Sequence, residues 1–142
     1  MNKSAAPETA DLATLLHTAW AAQDEVETKL SAIGLSLAKL AALKVLSDAG
    51  ESLPLTQLAD RLSCVKSNIT QLVDRLEADG LVRRQADPND RRARLATLTA
   101  EGRKACREGS RVQGAAEQNL LGRLSTGESR QLAELLTKIT GK

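Results

Sequence analysis

The sequence predicts a mainly α-helical fold carrying one small β-hairpin. Three observations carry that prediction. Apolar residues recur at helical spacing through most of the chain, and a turn-rich stretch over residues 81–99 breaks this with alternation. The core candidates are almost wholly aliphatic, since Trp20 is the only member of the Phe, Tyr and Trp set among 142 residues. That length suits one domain with a real core.

From Asp11 to Leu30, apolar residues at Leu12, Leu15, Leu16, Ala19, Val26 and Leu30 form one stripe of an amphipathic helix. Gly34 suits its end and Ser36 the N-cap of the next helix. That second helix, about Leu37 to Ala49, is apolar nearly all round through Leu37, Leu40, Leu43, Val45 and Leu46, and should be buried. The segment "GESLPLT" predicts a turn, a short extended piece around Leu53–Leu55 and Thr56 as a further N-cap.

Two short helices follow. "QLADRL" gives the first, and "KSNITQLVDRLEADG" gives a second with Ile69, Leu72, Val73 and Leu76 on one face and Gly80 as its left-handed end. The hairpin then runs "LVRRQA", "DPNDRRAR", "LATLT", with Pro88 and Asn89 as turn formers. Two short helices joined by a tight turn and followed by a hairpin make a winged helix-turn-helix. Thr99 caps a long helix to about Arg123, whose packing face is small: Ala105, Gly109, Val112 and Ala116. Ser125 and Glu128 form a capping box for a last helix expected to bury Leu132, Leu135, Leu136 and Ile139.

Composition excludes several functions. The net charge is only +2, so any basic function must come from local clustering. A single-strand-binding surface lacks its aromatic platforms. One histidine and two distant cysteines lack metal-ligand spacing, so neither a metal nor another cofactor is expected. No phosphate-cradling or nucleophile-elbow motif is present, and no identifiable nucleophile accompanies His17, so an enzyme is not expected. No signal peptide or membrane-spanning segment is evident, which predicts a cytoplasmic protein with Cys64 and Cys106 reduced and no membrane partner.

What remains is polar chemistry on the second short helix and the hairpin tip. Ser67 and Gln71 lie nearly opposite its apolar face, with Asn68, Thr70 and Arg75 on the flanks and Lys66 at the start. Short donors and acceptors plus a guanidinium suit base edges and phosphates in a major groove. The bland alternative is a solvated polar face. The hairpin weighs against it: Arg83, Arg84, Arg91, Arg92 and Arg94 face only Asp87 and Asp90 over residues 81–94. Those aspartates can neutralise two arginines locally, yet a narrow basic tip fits a minor groove. Arg103, Lys104 and Arg107 extend the basic character along the following helix.

The run "LADRLSCVKSNITQLVDRLEADGLVRRQADPNDRRARLATLTAEG" resembles the MarR family of bacterial transcription regulators, most specifically in "LVDRLEADGLVRR" and "DPNDRRA…LT..G". The resemblance implies a single MarR-type domain over residues 1–142. In it, helices over 11–33 and 100–142 dimerise and 37–99 form the winged helix-turn-helix. It implies a homodimer on a pseudo-palindromic double-stranded operator, with each recognition helix in a major groove and each wing in an adjacent minor groove. Lys66, Ser67, Asn68, Thr70, Gln71, Arg75, Asp90, Arg91, Arg92 and Arg94 are then the DNA-binding set. Asp90 would orient a neighbouring arginine such as Arg75, while Arg92 or Arg94 reaches DNA.

The family likeness further implies a repressor released by a small-molecule effector, in a pocket between the dimer helices and the winged domain that His17 and Trp20 could line; the plainer reading has Trp20 packing at the dimer interface. Cys64, a thiol near a helix start where the pKa can be lowered, gives a redox alternative, against the favoured reading of a small buried hydrophobe. A winged-helix protein-interaction module without DNA binding is the alternative from another class; the polar helix face and arginine tip argue against it. Three residues depart from the family pattern. Val65 stands where a capping hydroxyl is common, leaving Ser63 and Ser67 as substitute caps. Cys64 replaces a small apolar residue. Ala96 replaces a larger aliphatic and is expected to loosen the wing.

Overall fold

The computed structural model describes residues 8–63 and 66–141, and of residues 66 and 67 the backbone alone. Six helices and three strands follow in order: α1 (Leu12–Ser31), α2 (Leu37–Asp48), β1 (Ser52–Pro54), α3 (Leu55–Leu62), α4 (Lys66–Ala78), β2 (Val82–Asp87), β3 (Asp90–Leu98), α5 (Ala100–Leu121) and α6 (Thr126–Thr140). The strands form one antiparallel sheet in the order β1-β3-β2.

Helix starts follow local chemistry. Asp11, Ser36 and Thr99 each accept a hydrogen bond from the backbone N–H three residues on, which satisfies an otherwise orphan donor. The predicted capping box closes both ways: Ser125 Oγ accepts from Glu128 N at 3.1 Å, and Glu128 Oε1 accepts from Ser125 N at 2.9 Å. Gly34 and Gly80 take the left-handed conformation, with φ of +77° and +76°.

Two expected caps are corrected. Helix α3 begins at Leu55 with Pro54 as its cap, not at Thr56, and Pro54 makes no side-chain cap bond. Proline is at once the last residue of β1 and the cap of α3: its φ of −56° with an extended ψ of 143° fits both a strand end and a helix N-cap. Ser63 does not start α4; it ends α3 in the left-handed conformation at φ +53°. The expectations for Cys64 and Val65 lie outside the described residues, and Ser67 as a cap rests on a side chain that is likewise outside them.

The core is aliphatic, as composition requires. Leu30 of α1, Leu40, Leu43 and Leu46 of α2, Leu58 of α3, Ile69, Val73 and Leu76 of α4, and Val82 of β2 are the largest fully buried side chains. Among the described residues no polar or charged side chain is buried. Ala96 is fully buried at the centre of the sheet, paired with Leu53 on β1 and Arg84 on β2, so its small side chain sits where two strands flank it. Helix α5 packs on α1 and α2, with Gly109 against Leu35 and Leu40, and it also buries Cys106, Ala116 and Gly102, the last against Leu81 and Leu98. Struts between elements are ionic: Lys39 of α2 meets Asp79 at 2.8 Å, and Arg103 of α5 meets Glu51 at 3.1 Å.

The outer helices depart from expectation. Leu135, Leu136 and Ile139 of α6 are exposed and Leu132 only half-buried, so the predicted burial does not occur within one chain. At the other end Leu12, Leu15, Leu16 and Trp20 are exposed too. Both helices carry an apolar stripe left facing water by the other described residues.

Candidate nucleic-acid interface

Helix α4 turns Ile69, Val73 and Leu76 into the core, which leaves Asn68, Thr70, Gln71 and Arg75 exposed on its outer side. Lys66 and Ser67 start the same helix, their side chains outside the described residues. The outward set is polar and carries a cation, the inventory that hydrogen-bonds base edges and phosphates. Arg75 has no ion pair among the described residues, so its guanidinium stays available.

The wing tip is built by its aspartates. Asp87 Oδ1 accepts from Asn89 N at 2.9 Å, and Asp90 Oδ1 accepts from Arg92 N at 3.0 Å. Each closes a local turn of the kind short acidic side chains favour. Asp90 therefore holds the backbone of Arg92 and not the guanidinium of Arg75, which corrects the expected pairing. Neither tip aspartate forms an ion pair with an arginine among the described residues. Arg91, Arg92 and Arg94 are exposed.

Strand register adds to the exposure. Ala86 pairs with Arg94 and Asp87 with Asp90, so Arg91, Arg92 and Ala93 bulge with no partner on β2. A bulge bends the strand and re-aims its side chains. Between this bulge and the helix lies a cleft of about 450 Å³, lined by Pro54, Leu55 and Thr56, by Ile69 and Thr70 of α4, and by Arg92, Ala93 and Arg94.

One arginine of the basic hairpin behaves differently. Arg84 Nη2 lies 2.5 Å from Asp74 Oδ1 and donates to the Thr70 carbonyl at 3.1 Å; Nη1 lies 3.4 Å from Glu77 Oε1. Its backbone N–H donates to Glu77 Oε2 at 2.9 Å. Reading the hairpin as five equivalent cations missed this. The signal was present: strand alternation puts Arg84 on the same face as Val82, toward α4, where Asp74 and Glu77 lie.

The residues expected elsewhere are scattered. His17 and Trp20 stand exposed on α1, Trp20 at 63%, and neither lines the cleft beside α4. Cys64 lies outside the described residues. Cys106 is buried on α5, where burial pushes its thiol pKa up against the lowering effects of Ser110, Lys44 and Arg107. A raised pKa keeps it protonated and poorly nucleophilic. No helix among the described residues is long and apolar enough to cross a membrane.

Known proteins share this arrangement. The MarR family model matches residues 35–93, the span from the end of the α1–α2 turn through the wing tip. An HTH-type transcriptional repressor of Mycobacterium tuberculosis is 32% identical over 115 residues, covering 81% of this chain and 82% of its own length. A mutant MarR of Escherichia coli complexed with operator DNA superposes with a TM-score of 0.80 at 27% identity, over 92% of this chain and 99% of that one. A MarR family regulator of Streptomyces coelicolor in complex with DNA gives 0.81 at 25% identity, over 90% and 85%. With its winged helix-turn-helix between long outer helices, the chain belongs to the MarR family of transcriptional regulators and is not an enzyme.

Proposed function

We propose that this chain is a sequence-specific double-stranded-DNA-binding repressor that acts as a homodimer in the cytoplasm. The observation that carries the reading is the pairing of two unneutralised surfaces. Asn68, Thr70, Gln71 and Arg75 face out from α4, and Arg91, Arg92 and Arg94 face out from the wing. Helix α4, with Lys66 and Ser67 at its start, enters a major groove, while the wing arginines enter the flanking minor groove, where negative potential attracts guanidinium groups. Asp90 acts indirectly, by setting the Arg92 backbone.

The exposed apolar stripes of α1 and α6 support the dimer. Leu12, Leu15, Leu16 and Trp20 on α1 and Leu135, Leu136 and Ile139 on α6 are exposed in the single chain, and exposed apolar stripes of this kind mark association surfaces. Residues 11–33 and 100–142 supply the dimer helices of a single domain whose centre, 37–99, binds DNA. Two copies place their recognition helices on half-sites about 34 Å apart, one turn of duplex.

Release by a small molecule is the finer part of the proposal. The cleft between α4 and the wing is lined by Arg92 and Arg94, so a small anionic effector seated there draws the wing arginines away from phosphate. His17 and Trp20 have no part in that cleft; their exposure fits the dimer surface. Cys106 is no redox sensor in this reading, because its thiol is buried and held protonated; the expected sensor, Cys64, lies outside the described residues.

Selection of duplexes from a random library by the purified protein tests the reading. A shared, two-fold-related sequence motif is expected, bound more tightly than a scrambled duplex. Selected duplexes with no common motif would overturn it, and binding of partner protein without DNA would favour an interaction module instead.

A further inference from the structure

We propose that Arg84 is a positioning residue for DNA binding: it locks the wing to the recognition helix and itself contacts no DNA. The inference rests on the reading of this chain as a DNA-binding regulator and adds to it the device that keeps its two DNA-facing elements in register.

Arg84 reaches three positions along one edge of α4. Its guanidinium meets Asp74 and Glu77 and donates to the Thr70 carbonyl, and its backbone N–H is bound by Glu77 as well. Residues 70, 74 and 77 are stacked at successive turns, so one β2 residue clasps nearly two turns of helix. The planar, five-donor fork of arginine makes this possible; the point charge of a lysine does not.

Two features separate Arg84 from the other wing arginines. Two carboxylates surround its single positive charge, so the cluster offers no excess cation to phosphate. Its side chain is only 24% exposed, against 57% for Asp74. On the far side of the α4–wing junction the elements are parted by the cleft that Ile69, Thr70, Arg92 and Arg94 line. Among the described residues, the side-chain hydrogen bonds joining α4 to the wing are those of the Arg84 cluster. Without it the wing pivots about the Val82 packing contact, and major- and minor-groove contacts no longer form together.

Electrostatics and positioning predict opposite signs for one experiment. Substituting Asp74→Asn together with Glu77→Gln makes the DNA-facing surface more positive. If Arg84 is a phosphate contact held back by those acids, binding tightens. If it is a positioning residue, binding weakens.

The test measures the affinity of the full chain for a duplex selected by the wild type, across several salt concentrations. Amide exchange over β2 is measured in the free protein. Arg84→Ala and the Asp74→Asn/Glu77→Gln pair are both expected to weaken binding roughly tenfold, the effect of losing a charge-assisted contact. The slope of log affinity against log salt should keep its wild-type value, and β2 exchange should quicken. A slope reduced by about 0.9 for Arg84→Ala, the signature of one lost phosphate contact, overturns the proposal. So does tighter binding by the isosteric pair, which needs no folding of Arg84→Ala. Wild-type protein that selects no duplex sinks the regulator reading itself, an outcome distinct from variants that bind like the wild type.

Discussion

Gly102 lies so close to the main chain of Leu81 that a Cβ on residue 102 would sit 2.0 Å from the Leu81 carbonyl oxygen. That same oxygen accepts the Thr99 N–H at 3.1 Å, and Thr99 Oγ1 accepts the Gly102 N–H at 3.0 Å. The end of the wing, the cap of α5 and the exit of the recognition helix therefore meet at one point where only a hydrogen side chain fits.

Substitution at the two buried glycines of α5 should separate backbone from side-chain crowding. Gly102→Ala drives a methyl into main chain, and a stability loss at or above about 3 kcal/mol is expected, the upper end for overpacking. At Gly109 the obstacles are the tips of Leu35 and Leu40, each 2.7 Å from the would-be Cβ. Those tips can rotate, and alanine gains about 1 kcal/mol of helix propensity, so Gly109→Ala should cost clearly less. Urea denaturation of the two variants, with equal slopes, checks the order.

The wing arginines should behave as counterion-releasing contacts. Arg92→Ala and Arg94→Ala are each expected to weaken binding to a selected duplex and to lower the salt slope by about 0.9. Fluorescence anisotropy at several salt concentrations measures both. Unchanged slopes would place the minor-groove contact elsewhere.

Much of this was legible in the sequence, and the reason differs by element. The apolar face of α4 announces itself because Ile69, Leu72, Val73 and Leu76 repeat within one helix, and the Ser125–Glu128 box because its partners are three residues apart. Arg84 was hidden because its partners lie on another element, seven to fourteen residues earlier, and composition counts it with its neighbours. Strand alternation from Val82 holds the clue to its direction. Thr56 misled as a cap because proline, without a capping side chain, opens α3 by its fixed φ. The burial predicted for Leu135, Leu136 and Ile139 failed within the chain because an amphipathic stripe states that a face will be covered, and not by which molecule.

The capping box predicts a pH effect confined to α6. Hydrogen bonds from Ser125, backbone first and then side chain, hold the Glu128 carboxyl below its ordinary pKa. The folded value being the lower one, this stabilisation is fully present above the ordinary carboxylate range. It fades as pH falls through the folded value. The protection factor of amides in the first turn of α6, exchange taken relative to the unstructured rate at the same pH, should fall on acidification in the wild type. In Glu128→Gln, which keeps an acceptor but does not titrate, it should stay flat over the same range.

The outer apolar stripes predict concentration-dependent assembly. Placing a charge in the stripe, as in Leu136→Glu or Ile139→Glu, should weaken dimerisation by more than about tenfold, since burying such a side chain is worth roughly 1.5–3 kcal/mol. Sedimentation equilibrium measures the shift, and the melting temperature of the wild type should rise with protein concentration. Wild-type protein that sediments as a monomer at every concentration removes the dimer from the proposal.

Pro54 ends a strand and opens a helix in the same residue, so the chain has no slack between the sheet and α3. Because β1 is zipped to β3, the strand that carries the wing arginines, a load on the wing passes through the ladder directly into the base of the helix-turn-helix. The module is geared: DNA cannot deflect its wing without also tilting the first helix, and a groove of the wrong width is felt at both ends of the gear.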